Sequence, residues 1–202
     1  MKKKLPLKVV VVLLAVGSLA ACGSDARARS TTASRNDSTS TITSAEVLPT
    51  VEAVDGVTFT PPAGDYSVVF PFEPTSNEQT LTLDDGSSMP ITFYLTDSDR
   101  LELGTAAIVY PPGSALSLEG ARDGAISNIS GTRTSSDPIN LQGREGLQFT
   151  ASVQDGKVTY LSRVYRDDVT LYQLIAVVHG EVAFDDPEIT AFFDSFRFTT
   201  DI

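Results

Sequence analysis

Residues 169–178 read VTLYQLIAVV, a run with no polar face. Drawn as an extended chain, it sets Leu171, Ile175 and Val177 on one side and Tyr172, Leu174 and Val178 on the other. A strand that is apolar on both faces has to be covered on both, so this run predicts the centre of a sheet with helices on each side. The segments before it have the period of half-buried strands. Leu147, Phe149, Ala151 and Val153 alternate with Gln148, Thr150 and Ser152,. Asp155-Gly156 turns the chain, Val158, Tyr160 and Val164 run back, and Asp167-Asp168 turns it again,. A three-strand meander is expected over 143–178.

Upstream, Tyr66–Phe70, 79–83, Ile91–Leu95 and Thr105–Tyr110 are β-rich runs, and Asp84-Asp85-Gly86 is a hairpin signal,. Between the two β-rich blocks the period changes. In ALSLEGARDGAISNI (115–129), Leu118, Ala121, Ala125 and Ile129 share one helical face, with Ser130-Gly131 as the stop,. Gly120 and Gly124 each lower the helix propensity by about 1 kcal/mol. A closing helix is marked by Asp186 as cap, Pro187 at its first position and Glu188 in its first turn,. Ile189, Phe192, Phe193 and Phe196 line its apolar face. Together these elements predict an α+β domain over 57–202, a mostly antiparallel β-sheet flanked by two helices.

The N-terminus has a different logic. MKKKLPLKVVVVLLAVGSLAAC carries Lys2, Lys3, Lys4 and Lys8 ahead of a short apolar core, then small residues. That is the layout of a secretory signal peptide over 1–21. A membrane-spanning helix needs about 20 apolar residues, and Gly17 and Ser18 break this run early,. Leu19-Ala20-Ala21-Cys22 holds the chain's single cysteine and resembles the lipobox of bacterial lipoprotein precursors. The resemblance implies diacylglycerol on the Cys22 thiol, cleavage before it, and a membrane partner held through that lipid anchor. Two acyl chains or more give the stable anchoring that one cannot. With Cys22 lipidated, no thiol is left for a disulfide, a nucleophile or a metal.

Cleavage there would remove four of the 15 basic residues and none of the 26 acidic ones, taking the formal charge from −11 to −15. Such a balance argues against nucleic acid, whose binding is dominated by phosphate neutralisation, and against a basic face on anionic lipid. Residues 22–56 follow as a Ser/Thr-rich linker, with STTASRNDSTSTITS at 30–44. This composition buries too little apolar surface to order itself and predicts a disordered tether. A coil of about 34 residues spans roughly 30–35 Å. Its Ser/Thr content also suits O-glycosylation.

DYSVVFPFEP at 65–74, GREGLQF through VTLYQLIAVV at 143–178, and FFDSFRF at 192–198 resemble the PsbP-like fold. That fold is shared by photosystem accessory subunits and by LpqN-type and DcrB-type envelope lipoproteins. The resemblance implies an α-β-α sandwich with a binding or assembly role and carries over no catalytic residue.

Candidate chemistry is sparse. His179 is the only histidine, at the end of the central strand; it is expected to be structural or surface-exposed, not a general base,. The acidic groups are Asp84/Asp85, Asp97/Asp99/Glu102, Asp167/Asp168 and Asp185/Asp186. Such groups can serve acid–base chemistry or bind Ca²⁺, but most sit where turns and helix caps favour Asp. Arg163 and Arg166, on opposite faces of their strand, could pair with those acids or with a ligand, with solvated charge the favoured expectation, and Lys157 is expected in a hairpin turn. No G-x-S-x-G elbow occurs,. No catalytic residue, metal or cofactor is therefore expected. The sequence predicts a non-catalytic envelope module on the outer face of the bacterial cytoplasmic membrane, with a protein partner in the envelope. The alternatives are a carrier of a lipid or other small apolar ligand and, behind it, a hydrolase.

Overall fold

The computed structural model describes residues 56–82, 88–114 and 116–199. Residues 170–178 lie in β9 (Thr170–His179), where all but the two end positions are buried, and Val169 belongs to the turn before it. It is the fourth of seven strands in an antiparallel sheet. The others are β3 (Thr75–Thr82), β4 (Ser88–Asp97), β5 (Leu101–Val109), β6 (Thr132–Leu141), β7 (Arg144–Val153) and β8 (Val158–Asp167). The order is β3-β4-β5-β9-β8-β7-β6. One meander, β3 to β5, meets a second, β6 to β9, along the β5–β9 seam, where Thr105 faces Leu174 and Leu101 faces Val178.

The second meander has four strands, not the three expected. β6 escapes notice because TRTSSDPINL has neither an apolar run nor clean alternation, and it contains Pro138. It can be a strand because it lies at the edge, where a missing N–H costs little. β3 also begins earlier than the sequence pattern suggested, at Thr75.

A small second sheet, β1-β2-β10, is built from β1 (Val57–Phe59), β2 (Tyr66–Phe70) and β10 (Arg197–Phe198). The run 66–70 is therefore a strand as expected, but it belongs to this sheet and not to the large one.

Helix α1 (Leu118–Asn128) is capped by Ser117, whose Oγ accepts from the Gly120 N–H at 3.1 Å. It stops where expected. Ser130 takes the left-handed conformation (φ 51°), while the N–H groups of Ser130 and Gly131 return to the carbonyls of Ser127 and Ile126. This is a Schellman ending with serine in the place usually held by glycine. Ile129 is thus a cap and not a helical residue; it packs half-buried against the core, and Ile126 of the helix joins it there. Helix α2 (Pro187–Ser195) is capped by Asp186, which accepts from Glu188 and Ile189. It ends one residue before Phe196, which is fully buried beyond the helix.

Alternation along the strands sorts the core into two layers. Phe93, Ile108, Phe149, Val164 and Ile175 pack with Leu118, Ala121, Ala125 and Ile126 of α1. On the reverse face, Leu103, Leu161, Tyr172 and Leu174 pack with β2, α2 and β10. The division of β9 follows the alternation of its sequence. Between β7 and β8 the backbones approach closely at Gly146, where a Cβ would lie 2.5 Å from the Val164 carbonyl oxygen. Glycine is required there by space.

Candidate functional site

Two features of the sheet carry polar chemistry, one on each face. On the α1 face a polar seam crosses the middle strands. Ser162, fully buried, donates to the Leu174 carbonyl at 2.8 Å, and Gln173 Nε2 donates to Tyr160 Oη at 3.0 Å. Each polar group taken out of water thus has a partner, as burial demands. Desolvation still pushes the Tyr160 phenol above its ordinary range. In the next row, Glu102 lies opposite Val177 on β9, whose other neighbour is Tyr160. Glu102 also faces Asp97 across β4–β5. Its Oε1 is buried with no hydrogen-bond partner. Burial first, and the Asp97 charge second, push this carboxyl up to about 7,. A carboxyl poised near neutrality can give or take a proton.

On the opposite face is a shallow depression of ≈ 320 Å³, lined by Thr134, Thr150, Ser152 and Thr159 with Gly156, Glu181 and Val182. Ser152 and Thr159 are cross-strand neighbours, and Thr150 opposes Ser135. The Thr150 hydroxyl shares hydrogen bonds with Thr134 and Ser135, and Thr159 Oγ1 donates to the Gly180 carbonyl at 2.6 Å. This wall is rich in hydroxyl oxygens. Glu102 faces away from it.

The residues singled out in the sequence are dispersed. Leu19, Ala20, Ala21 and Cys22 lie outside the described residues, as do Asp84 and Asp85. His179 is exposed at the end of β9, its backbone N–H bonded to the Arg100 carbonyl. Asp167 pairs with buried Arg144 at 2.7 Å. Asp186 caps α2 and, with Glu188, holds Arg100. The two arginines follow the alternative of pairing with acids, though with acids other than the groups named in the sequence. Arg163 pairs with Asp194 at 2.7 Å over the rings of Phe193 and Phe184, and Arg166 bridges Glu145 and the Leu116 carbonyl. Lys157 is exposed in its turn. Among the described residues, no group of His, Cys, Asp or Glu is arranged to hold a metal, and no helix is long and apolar enough to cross a membrane.

In the sequence Glu102 is only one of an acidic group with Asp97 and Asp99, and nothing there marks it as buried; its place in the strand LELGTAAIV supplies that. The hydroxyls of the depression belong to the polar half of the β7 and β8 alternation, which reads as a solvated face until β6 and the loop after β9 enclose it.

No family model matches this chain, and no curated protein matches it. Among solved structures fifteen chains match. One is Protein of Unknown Function PA94 from Pseudomonas aeruginosa, which is 6% identical over 61% of this chain and 83% of its own, with a TM-score of 0.34. A likeness that loose carries no argument about fold or function.

Proposed function

We propose that the chain is an extracytoplasmic lipoprotein of the bacterial envelope, anchored to the outer face of the cytoplasmic membrane through lipid on Cys22. Its α+β domain would be a PsbP-like, non-catalytic binding or assembly module. The lipobox-like Leu19-Ala20-Ala21-Cys22 and the Ser/Thr-rich stretch behind it support the anchor and tether.

The observation that carries the binding role is the contrast between the two edges of the large sheet. β6 is guarded by a bulge between Arg133 and Ser135, by Pro138 and by charged side chains. β3 pairs with β4 in unbroken register over eight residues, has no proline, and carries one charged residue, Glu78. Among the described residues no strand pairs with the outer edge of β3, and such an edge is a template for a partner's strand,. A photo-cross-linking residue at Thr80 in the full lipid-anchored chain should give a discrete adduct in cells, and one at Asn140 on β6 should not. No adduct from Thr80 defeats the assembly reading. Fatty-acid labelling that survives Cys22→Ser defeats the anchor. The apolar-carrier alternative draws less support, because the depression described above is lined by hydroxyls and a carboxylate.

A further inference from the structure

We infer that the depression between β6, β7, β8 and the loop after β9 is a binding site for a small amine-bearing polyol, of amino-sugar size and chemistry. The inference rests on the wall chemistry alone and stands whether or not the chain is lipidated or β3 recruits a partner.

The walls are firmly built. At the β7–β8 turn, Gln154, Asp155 and Gly156 all have positive φ (53°, 56° and 85°). Two of them are not glycine, and such backbone strain persists only where surrounding contacts impose it. Those contacts are present. Lys157 N–H returns to the Gln154 carbonyl, Gly180 N–H bonds to the Lys157 carbonyl, and Thr159 Oγ1 holds the Gly180 carbonyl from the strand. The turn and the loop that carries Glu181 and Val182 are thereby fixed to each other. On the far side, the β6 bulge inserts Thr134 between Arg133 and Ser135 and sets its hydroxyl against Thr150. Bulges commonly re-aim a side chain beside a functional site.

The wall chemistry selects the guest. The only charged lining residue is Glu181, which makes no ion pair or side-chain hydrogen bond among the described residues, so an anion would be repelled. A wholly apolar guest could lie against Ala151, Val182 and the threonine methyls, but it would leave four hydroxyls and the Glu181 carboxylate without partners from the guest,. A bare divalent cation wants six or more oxygens with several carboxylates, and one carboxylate is available. A primary ammonium group suits Glu181, while neighbouring guest hydroxyls can exchange hydrogen bonds with Ser152, Thr150 and Thr134. The Thr159 hydroxyl spends its proton on Gly180, leaving lone pairs to accept from the guest. The volume of ≈ 320 Å³ is at the small end for ligand sites and matches a single sugar unit,. Val182 can lie against the C–H face of such a ring.

The test is an NMR titration of the full chain in detergent, with glucosamine and glucose as probes. Glucosamine should shift the amides of 150–159 and 180–182 with a millimolar dissociation constant, and glucose should bind about tenfold more weakly. Glu181→Gln should abolish that preference, and Ser152→Ala should weaken both sugars several-fold. Both sites are on the surface, so the spectra should otherwise remain those of the folded chain. Equal binding of the two sugars, an unchanged preference in Glu181→Gln, or no localised shift at about 20 mM glucosamine would each overturn the assignment.

Discussion

The two faces of the large sheet are built on different principles. The α1 face is largely aliphatic and draws on strands from β3 to β9 under a single helix, and a polar seam with a buried, unpartnered carboxyl oxygen runs through it. The α2 face is aromatic and assembled from opposite ends of the domain. Tyr66 meets Phe196 at 5.2 Å, Tyr165 stacks on Phe196 with 4° between the rings, and Tyr172 meets Phe198 edge-on at 5.0 Å. Such pairs add about 0.5–1.5 kcal/mol each beyond the area they bury. The aromatic face is also latched at its rim. Gln142 exchanges two hydrogen bonds with the Phe198 backbone, Arg144 lies 4.2 Å above the Phe198 ring, and Ser195 Oγ accepts from Val69 N–H. The comparison teaches that one face supplies cohesion while the other tolerates a titratable group.

The strongest test of that division is Phe193→Asp, which places an unpaired charge in the aromatic layer. It should cost about 5 kcal/mol or more and abolish a cooperative circular dichroism melt. An unchanged melt would show that α2 is ornamental.

Next come paired truncations. Phe196→Ala should cost about 3–5 kcal/mol in urea unfolding, and Ile126→Ala on α1 about 2 kcal/mol. A reversed order would mean that the α1 face is the main source of cohesion.

A smaller effect is expected at the latch. Gln142→Ala should cost about 1–2 kcal/mol and speed hydrogen exchange at the Phe198 amide, with no change at α1.

The last prediction has the opposite sign. Glu102 is raised from 4.5 to about 7 in the folded chain, so the folded state holds its proton more tightly than the unfolded one. Its contribution is fully favourable below about pH 4.5 and is lost as pH rises to about 7,. Glu102→Gln should therefore remove this slope and raise stability above pH 7 by about 1 kcal/mol, discounted for the carboxyl's partial exposure. A melting temperature that falls equally with pH in both proteins would remove Glu102 from the account.

The sequence made the centre of the fold legible and left its margins obscure. β9 announced itself because both faces must be apolar at the middle of a covered sheet. The caps at Ser130-Gly131 and Asp186 were legible because backbone geometry restricts which residues serve there. β6 was hidden because an edge strand buries little and so carries little pattern. β10 is two residues long, and only the Gln142 side chain and β2 reveal why it is extended. The depression was illegible for a related reason. Its hydroxyls come from three strands and gain meaning only when β6 and the loop after β9 stand beside them.

The pairing of Tyr66 with Phe198, and of Asp65 with Thr199, joins two segments that are far apart in the chain into one small sheet. Closing so long a loop costs chain entropy that neither strand can offset alone. The aromatic layer therefore orders as one cooperative unit, and loosening either end should loosen both.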